Sequence, residues 1–450
     1  MIDKYLASVG MTEPIKYEGR VAKVQGVLIE SIGPQAMVGE LCHIFVENGN
    51  REIAAEVVSL KEDRVQLMVY GEKTGIEVGC KVRASGDLLS VKVGPELLGR
   101  VINPLGDPVD GKGAIRSEGK YPVSATPPDP MTRPMIHEQV ETGIRVIDSL
   151  ISVGKGQRMG IFAGSGVGKS TTLGMIARNT SADINVIALI GERGREVREF
   201  LENDLGEEGL KRSVIVVSTG DSPALSRIQG AFAATAIAEY FRDQGNDVML
   251  LFDSVTRFAM AQREVGLAIG EPPSTRSYPP SVFTLLPKLL ERTGTSDKGT
   301  ITGFYTILVE GDDMDEPIAD AVRGILDGHL VLSRTLANRY HYPAVDVLSS
   351  VSRLSNKILS PKILQNIGTI RNLMAVYHEK EDLISLGAYV KGSSPEVDLA
   401  IEKNGEINDF LKQGISEKTP LKDVFRRLGE IAGNPMSDEE LNNEVLSILA

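Results

Sequence analysis

Tryptophan is absent from this 450-residue chain and aromatic residues make up only 5% of it, which argues against an extended platform for stacking bases. Basic residues are the minority: 49 Lys and Arg face 61 Asp and Glu, a formal charge of −12. Phosphate backbones are gripped mainly by clustered Lys and Arg, so this balance leaves room for a local basic channel but not for a general nucleic-acid binder. No nucleic-acid partner is expected. Cysteine is scarce too. Cys42 and Cys80 stand far apart in no metal-spaced set and read as two reduced thiols in a reducing compartment. No hydrophobic run approaches the length of a membrane span, and the first residues lack the basic-then-apolar pattern of a secretory signal. The expected location is cytoplasmic. Internal repeats and low-complexity tracts are missing as well.

What is present begins with length: a chain of this size outgrows one compact core and predicts about two or three domains. The most informative stretch is Gly160-Ile161-Phe162-Ala163-Gly164-Ser165-Gly166-Val167-Gly168-Lys169-Ser170-Thr171. It reads as an apolar strand, a Gly-rich loop and the opening of a helix. Such a loop turns backbone N–H groups inward around phosphate oxygens, and the helix adds its positive end. Lys169 then reaches the β- and γ-phosphates and the Ser170 hydroxyl binds Mg²⁺. The fit to G-x-x-x-x-G-K-[ST] has one departure, Ala163 in place of the first Gly. That position closes the strand, where a methyl group is tolerable. The dinucleotide fingerprint G-x-G-x-x-G is not met, because its last position, counted from Gly164, is Lys169. The stretch is a nucleoside triphosphate site.

Around it, residues 1–16 are mixed and contain Pro14, with a short amphipathic helix expected from Ile2 to Val9. That piece is open between a docking segment and a frayed end. From Gly19 to about Val93 short strands follow one another, with Asn48-Gly49 as a hairpin signal, which predicts a small closed β-barrel over 19–93. Residues 94–135 are rich in Gly and Pro and lead into a second domain. The apolar runs at Val186, Val214, Val248 and Phe304 mark strands buried on both faces of a parallel sheet. Ser222-Pro223 is expected to open a long helix with Ser222 as its cap. Beyond about Ile370 the pattern is helical. The expected domains are therefore a terminal segment (1–18), the barrel (19–93), an α/β core (94–370) and a helical domain (371–450).

Two carboxylates stand where chemistry needs them. Asp253 ends the run Val248-Met249-Leu250-Leu251-Phe252, at the crevice edge of a buried strand, and is either a carboxylate beside Mg²⁺ or a loop cap. Glu192 follows another such strand, in Gly191-Glu192-Arg193-Gly194-Arg195-Glu196. Its position alone leaves open whether it orients the attacking water or belongs to a solvated charge cluster.

The phosphate loop, Gly191-Glu192-Arg193, Asp253-Ser254-Val255-Thr256-Arg257-Phe258 and Pro343-Ala344-Val345-Asp346-Val347-Leu348-Ser349-Ser350-Val351-Ser352-Arg353 together resemble the type III secretion ATPases. These are relatives of the catalytic and regulatory subunits of rotary ATP synthases; the likeness runs from the barrel to the helical end and implies that the α/β core is a RecA-like P-loop core. The segments 264–273, 310–320 and 387–392 resemble the flagellar branch more than the injectisome branch. The resemblance implies ATP and Mg²⁺ as ligands, with Gly164, Ser165, Gly166, Val167, Gly168, Lys169, Ser170 and Thr171 around the phosphates. It implies Glu192 as general base with Arg193 beside it, and Asp253 and Glu196 near the metal and its water. Tyr342 matches the adenine-stacking position, its alternative being a core tyrosine. Arg353 matches the arginine that enters the active site of the next subunit.

By the same resemblance the chain is expected to work as a homohexamer, hydrolysing ATP to drive export of flagellar proteins at the cytoplasmic face of the inner membrane. The implied partners are a flagellar export regulator, a stalk-like coiled-coil protein, export chaperone–substrate complexes and a membrane export gate. The competing readings are an injectisome ATPase, a nucleotide-binding ring subunit that does not hydrolyse, and a ring-shaped RNA translocase.

Overall fold

The computed structural model describes residues 18–309, 311 and 313–442; the helix expected at Ile2 to Val9 lies outside them. The chain opens with β1 (Glu18–Gln25), β2 (Leu28–Ile32), β3 (Glu40–Val46), β4 (Arg51–Lys61), β5 (Arg64–Val69) and β6 (Lys81–Leu88), closed into a barrel in the order β1-β2-β5-β4-β3-β6. Closure leaves no free edge to pair with other chains. Alternate residues point inward, as in β3 with Cys42, Ile44 and Val46 and in β4 with Ile53, Ala55 and Val57. The β3–β4 turn runs through Gly49 at φ 92°, as the Asn48-Gly49 pair predicts. Cys42 is one of the inward residues, and burial pushes its thiol up to about 12, so it packs as a small apolar side chain.

Strands β7 (Ser90–Val93), β8 (Arg100–Ile102) and β9 (Gly119–Pro122) follow. β7, at the end of the segment 19–93, pairs with β9 in a ribbon outside the barrel, while β8 joins the central sheet. A short pair, β10 (Gln139–Val140) and β11 (Val153–Gly154), flanks helix α1 (Arg145–Leu150).

The central sheet adds β12 (Arg158–Ala163), β13 (Ile184–Ile190), β14 (Ser213–Ser218), β15 (Asp247–Asp253), β16 (Gly294–Thr295), β17 (Thr300–Leu308), β18 (Gly328–Leu332) and β19 (Val345–Ser352). Its order is β19-β18-β12-β17-β15-β13-β14-β8, with β16 beside β17; β19 and β16 run antiparallel and the rest parallel. Both faces are covered, which is why these strands are apolar without alternation. Ile161, Ile187, Leu251 and Phe304 enter one core, and Phe162, Val186, Leu250 and Phe252 enter the other.

Helix α2 (Lys169–Asn179) follows the phosphate loop, α3 (Ala224–Asp243) packs on the sheet, and α4 (Val255–Ala268) follows β15. The expected cap of α3 is corrected. Pro223 keeps extended backbone (ψ 147°), so the helix begins one residue later, and the Ser222 hydroxyl lies 3.2 Å from that of Thr219 instead.

Among the described residues, α5 (Pro361–Ser385), α6 (Pro395–Leu411) and α7 (Leu421–Ile431) are the main helices of the C-terminal domain. Pro361 sits in the first turn of α5, where its missing N–H costs nothing, so position 371 falls inside that helix. Phe410, Phe425 and Leu428 share a core with Ile147 and Leu150 of α1, joining the helical domain to one face of the sheet.

Candidate active site

The phosphate loop sits at the carboxyl end of β12. Ala163 is the last residue of that strand, paired with Leu308 and Leu332, and is fully buried. The left-handed region is needed only at Gly166 (φ 79°) and Gly168 (φ 93°), so alanine at the first motif position distorts nothing. Gly168 caps α2, an 11-residue helix whose first residue is Lys169. Ser165 and Gly166 are exposed, Val167 is anchored in the core, and Ser170 and Thr171 are half-buried on the first turn. Among the described residues the Ser170 hydroxyl makes no hydrogen bond, which leaves it free for a ligand.

Strand order decides what faces this loop. β15 and β13 lie two and three places from β12, and their carboxyl ends carry Asp253 and Glu192 to the same rim. Lys169 Nζ lies 2.6 Å from Asp253 Oδ1 and 3.4 Å from Glu192 Oε1, and Thr306 donates to the same Asp253 oxygen at 2.7 Å. All three charged side chains are largely withdrawn from solvent: Lys169 is 12% exposed, Asp253 5% and Glu192 13%. Burial and the neighbouring Asp253 charge push the Glu192 carboxyl up to about 7, against the pull of Lys169. Burial works against the charge of Lys169, but Asp253 and Glu192 together outweigh it and hold its proton more firmly than usual. A carboxylate with a proton affinity near neutrality suits general-base work.

Arg257 carries a signal that residue types alone do not reveal. It sits in the first turn of α4, capped by the Ser254 hydroxyl, and its stem packs over Gly191; a Cβ there would lie 2.6 Å from Arg257 Cβ. Gly191 is at φ 77°, so both space and backbone demand glycine next to Glu192. The Arg257 Nε is buried without a partner, and Nη1 reaches only the Met260 sulfur at 4.0 Å. A half-buried guanidinium whose Nε is sealed from solvent and has no carboxylate partner among the described residues is a place for an anion.

The remaining candidates lie further out. Arg193 is exposed at the rim and pairs with Glu196 at 3.4 Å. The Tyr342 ring lies against Gly168: a Cβ on that glycine would be 3.6 Å from two ring carbons. Arg353 stands apart. Ser352 pairs with Gly328 at the start of β18, whereas Ala163 pairs with Leu332 at its end. The exposed Arg353 guanidinium donates to Arg323 O at 3.3 Å, at the sheet edge opposite the phosphate loop. Among the described residues no group of three or more His, Cys, Asp or Glu is arranged to hold a metal. The oxygen donors that the rim does offer, the Ser170 hydroxyl and the Asp253 carboxylate, are of the hard type that suits Mg²⁺.

Three profiles match the chain: the nucleotide-binding domain of the ATP synthase alpha/beta family over residues 143–352, the beta-barrel domain of that family over 21–86, and the T3SS EscN ATPase C-terminal domain over 359–430. The chain is 56% identical to the flagellum-specific ATP synthase of Treponema pallidum over 96% of its own length and 97% of the relative's. It is 55% identical to that of Bacillus subtilis (95% and 98%) and 48% identical to the type 3 secretion system ATPase of Xanthomonas euvesicatoria (92% and 93%). Among solved structures it is similar to the assembled ATPase EscN of the enteropathogenic E. coli type III secretion system, with a TM-score of 0.87 and 44% identity over 92% of this chain and all of that one. EscN in complex with its central stalk EscO gives 0.86 and 43%, with the same coverage.

Proposed function

This chain belongs to the ATP synthase alpha/beta family, in the group of flagellum-specific and type III secretion ATPases, and from that premise we propose that it hydrolyses MgATP to drive export of flagellar proteins. The observation that carries hydrolysis is Glu192, a sheltered carboxylate 3.4 Å from the loop lysine with its proton affinity raised to about 7. Loop N–H groups and Lys169 bind the phosphates, and an anionic substrate competes with Asp253 and Glu192 for the Lys169 ammonium. Ser170 holds the metal and Asp253 supports its water shell, with Glu196 nearby. Mg²⁺, when bound, neutralises charge on the phosphate oxygens. Glu192, freed from Lys169, orients water and takes its proton. Arg193 and the unpaired Arg257 offer further positive charge, and the Tyr342 ring stacks on the base.

Arg353 completes the site of a neighbouring copy; its distance from its own phosphate loop supports that reading. The working form is then a homohexameric ring, in keeping with the likeness to assembled EscN. The likeness to EscN bound to its central stalk EscO supports a stalk-like coiled-coil partner. A flagellar export regulator, export chaperone–substrate complexes and a membrane export gate complete the proposed set. Among the described residues no helix is long and apolar enough to cross a membrane, compatible with a cytoplasmic ring held peripherally at the inner membrane. Identity to the flagellum-specific relatives of Treponema pallidum and Bacillus subtilis, 56% and 55% against 48% to the Xanthomonas secretion ATPase, favours the flagellar over the injectisome role.

The test is Glu192→Gln, with nucleotide binding and turnover measured side by side. Turnover is expected to vanish while binding persists. Unchanged turnover would remove Glu192 as the base.

A further inference from the structure

The loop 412–417 opens the connection from α6 to α7, yet it is fastened to the nucleotide-binding half at several points. Arg145, at the start of α1, donates from Nε to Phe410 O at 3.0 Å and from its terminal nitrogens to Lys412 O, the Glu417 carboxylate and the Thr419 hydroxyl. Arg178, in the last turn of α2, donates to Ile415 O at 2.8 Å. Gln413 lies between these ties and is 6% exposed. Its Oε1 accepts from Arg145 N–H, and its Nε2 donates to Gly143 O and Glu417 O, all at 2.8 Å. Its backbone N–H donates to Tyr342 O at 2.9 Å.

We infer that Gln413 is a positioning residue for the base end of the nucleotide site, holding Tyr342 at a set distance from the phosphate loop. This rests on the assignment of Tyr342 to the base. The Gln413 amide has three of its four hydrogen bonds, both donated ones among them, committed to protein partners, so it acts through the loop it braces. The loop has two grips. One is the backbone bond to Tyr342, whose ring lies on Gly168. The other reaches the far end of α2, through Arg178 and through Gly143, which packs against Asn179. Helix α2 begins at the phosphate loop, so the bracket 412–417 spans the slot between the ring and that helix. The phosphate end also draws on α2 for Lys169 and Ser170, but it is fixed by the carboxyl ends of β12, β13 and β15 and by the Lys169–Asp253 pair, which the grip on Tyr342 does not touch.

Loosening Gln413 therefore weakens recognition of the base and spares recognition of the phosphates. The experiment compares Gln413→Ala and Gln413→Glu with the unmodified full-length protein. The glutamate variant keeps side-chain volume and the acceptor for Arg145 and loses both donated bonds, so it carries the test if the alanine variant does not fold. The readouts are KM and kcat for MgATP and the inhibition constant of inorganic tripolyphosphate against ATP. The expected result is a KM for ATP raised about fivefold or more, as loss of a bracing hydrogen bond implies, with kcat and the tripolyphosphate constant unchanged. An unchanged KM overturns the inference, and so does a parallel rise in KM and the tripolyphosphate constant, which marks general structural damage. Tyr342→Ala separates the two layers. If it raises KM for ATP while the Gln413 variants do not, Tyr342 keeps its role and Gln413 loses its own. If Tyr342→Ala leaves KM unchanged, the assignment beneath the inference fails.

Discussion

Arg353→Ala is expected to abolish turnover and leave nucleotide binding intact, although no part of Arg353 approaches the phosphate loop of its own chain. The register supplies the magnitude. Gly328, beside Ser352, lies four residues before Leu332, beside Ala163, which at about 3.3 Å per residue is a separation of roughly 13 Å along the strand. The guanidinium is turned further outward, onto Arg323 O. If a neighbouring copy receives this arginine, its loss costs about 10³–10⁵ in turnover, the range for an arginine delivered in trans to phosphoryl transfer. The decisive assay mixes two inactive proteins, Arg353→Ala and Lys169→Ala. In a mixed ring, some interfaces join an intact Lys169 pocket to an intact Arg353 from the next copy. With random equal assembly and independent sites, about one interface in four is of this kind, so activity should recover to roughly a quarter of the unmodified rate. A mixture as inactive as its parents, or Arg353→Ala retaining turnover alone, would refute the shared site. A turnover per chain that stays flat on dilution through the assembly range would refute it independently.

Glu192 must be ionised to accept a proton. With its proton affinity pushed up to about 7, kcat/KM should fall about tenfold per pH unit below that point, and Glu192→Asp should shift or erase the limb in a pH–rate profile. The same raised value means that folding favours the protonated carboxyl. Its stabilising contribution is full below the ordinary carboxylate range and is lost as pH rises through about 7, a dependence that denaturant titrations should find missing in Glu192→Gln. Gly191→Ala forces a positive φ on a residue with a Cβ and drives it against Arg257; the cost to stability is about 1–2 kcal/mol, while turnover should drop steeply because Glu192 is the next residue. Arg292 and Glu239 form a pair 1% and 5% exposed, 2.5 Å apart. Arg292→Met should cost about 3–5 kcal/mol in chemical denaturation by stranding the Glu239 charge, and adding Glu239→Leu should recover much of it.

Much of the architecture follows from local pattern. Alternation in β3 and β4 marks a barrel wall, unbroken apolar runs mark strands covered on both faces, and the loop from Ala163 to Ser170 announces a phosphate cradle. Each is a statement about neighbours in sequence, which the backbone obeys wherever the chain goes. Failures came where local signals competed. Ser222 has the residue type of a cap, but the extended backbone of Pro223 starts α3 one residue late. The pattern of charges and apolar residues also hid the start of α5 at Pro361, ahead of Ile370.

What the sequence determined by itself is the chemistry on offer: a Gly-rich loop followed by Lys169, and carboxylates at the ends of buried runs. Only the tertiary structure decided which of these groups meet. The order of strands puts Asp253 and Glu192 on one ammonium, and packing of α4 on Gly191 brings an unpaired Arg257 beside the Glu192 loop. The antiparallel return of β19 carries Arg353 away from the pocket, and a loop of the helical domain reaches back to Tyr342. Those meetings depend on which strands become neighbours and how helices cross them. That is settled by burying both faces of one sheet at once, and no window of sequence contains it.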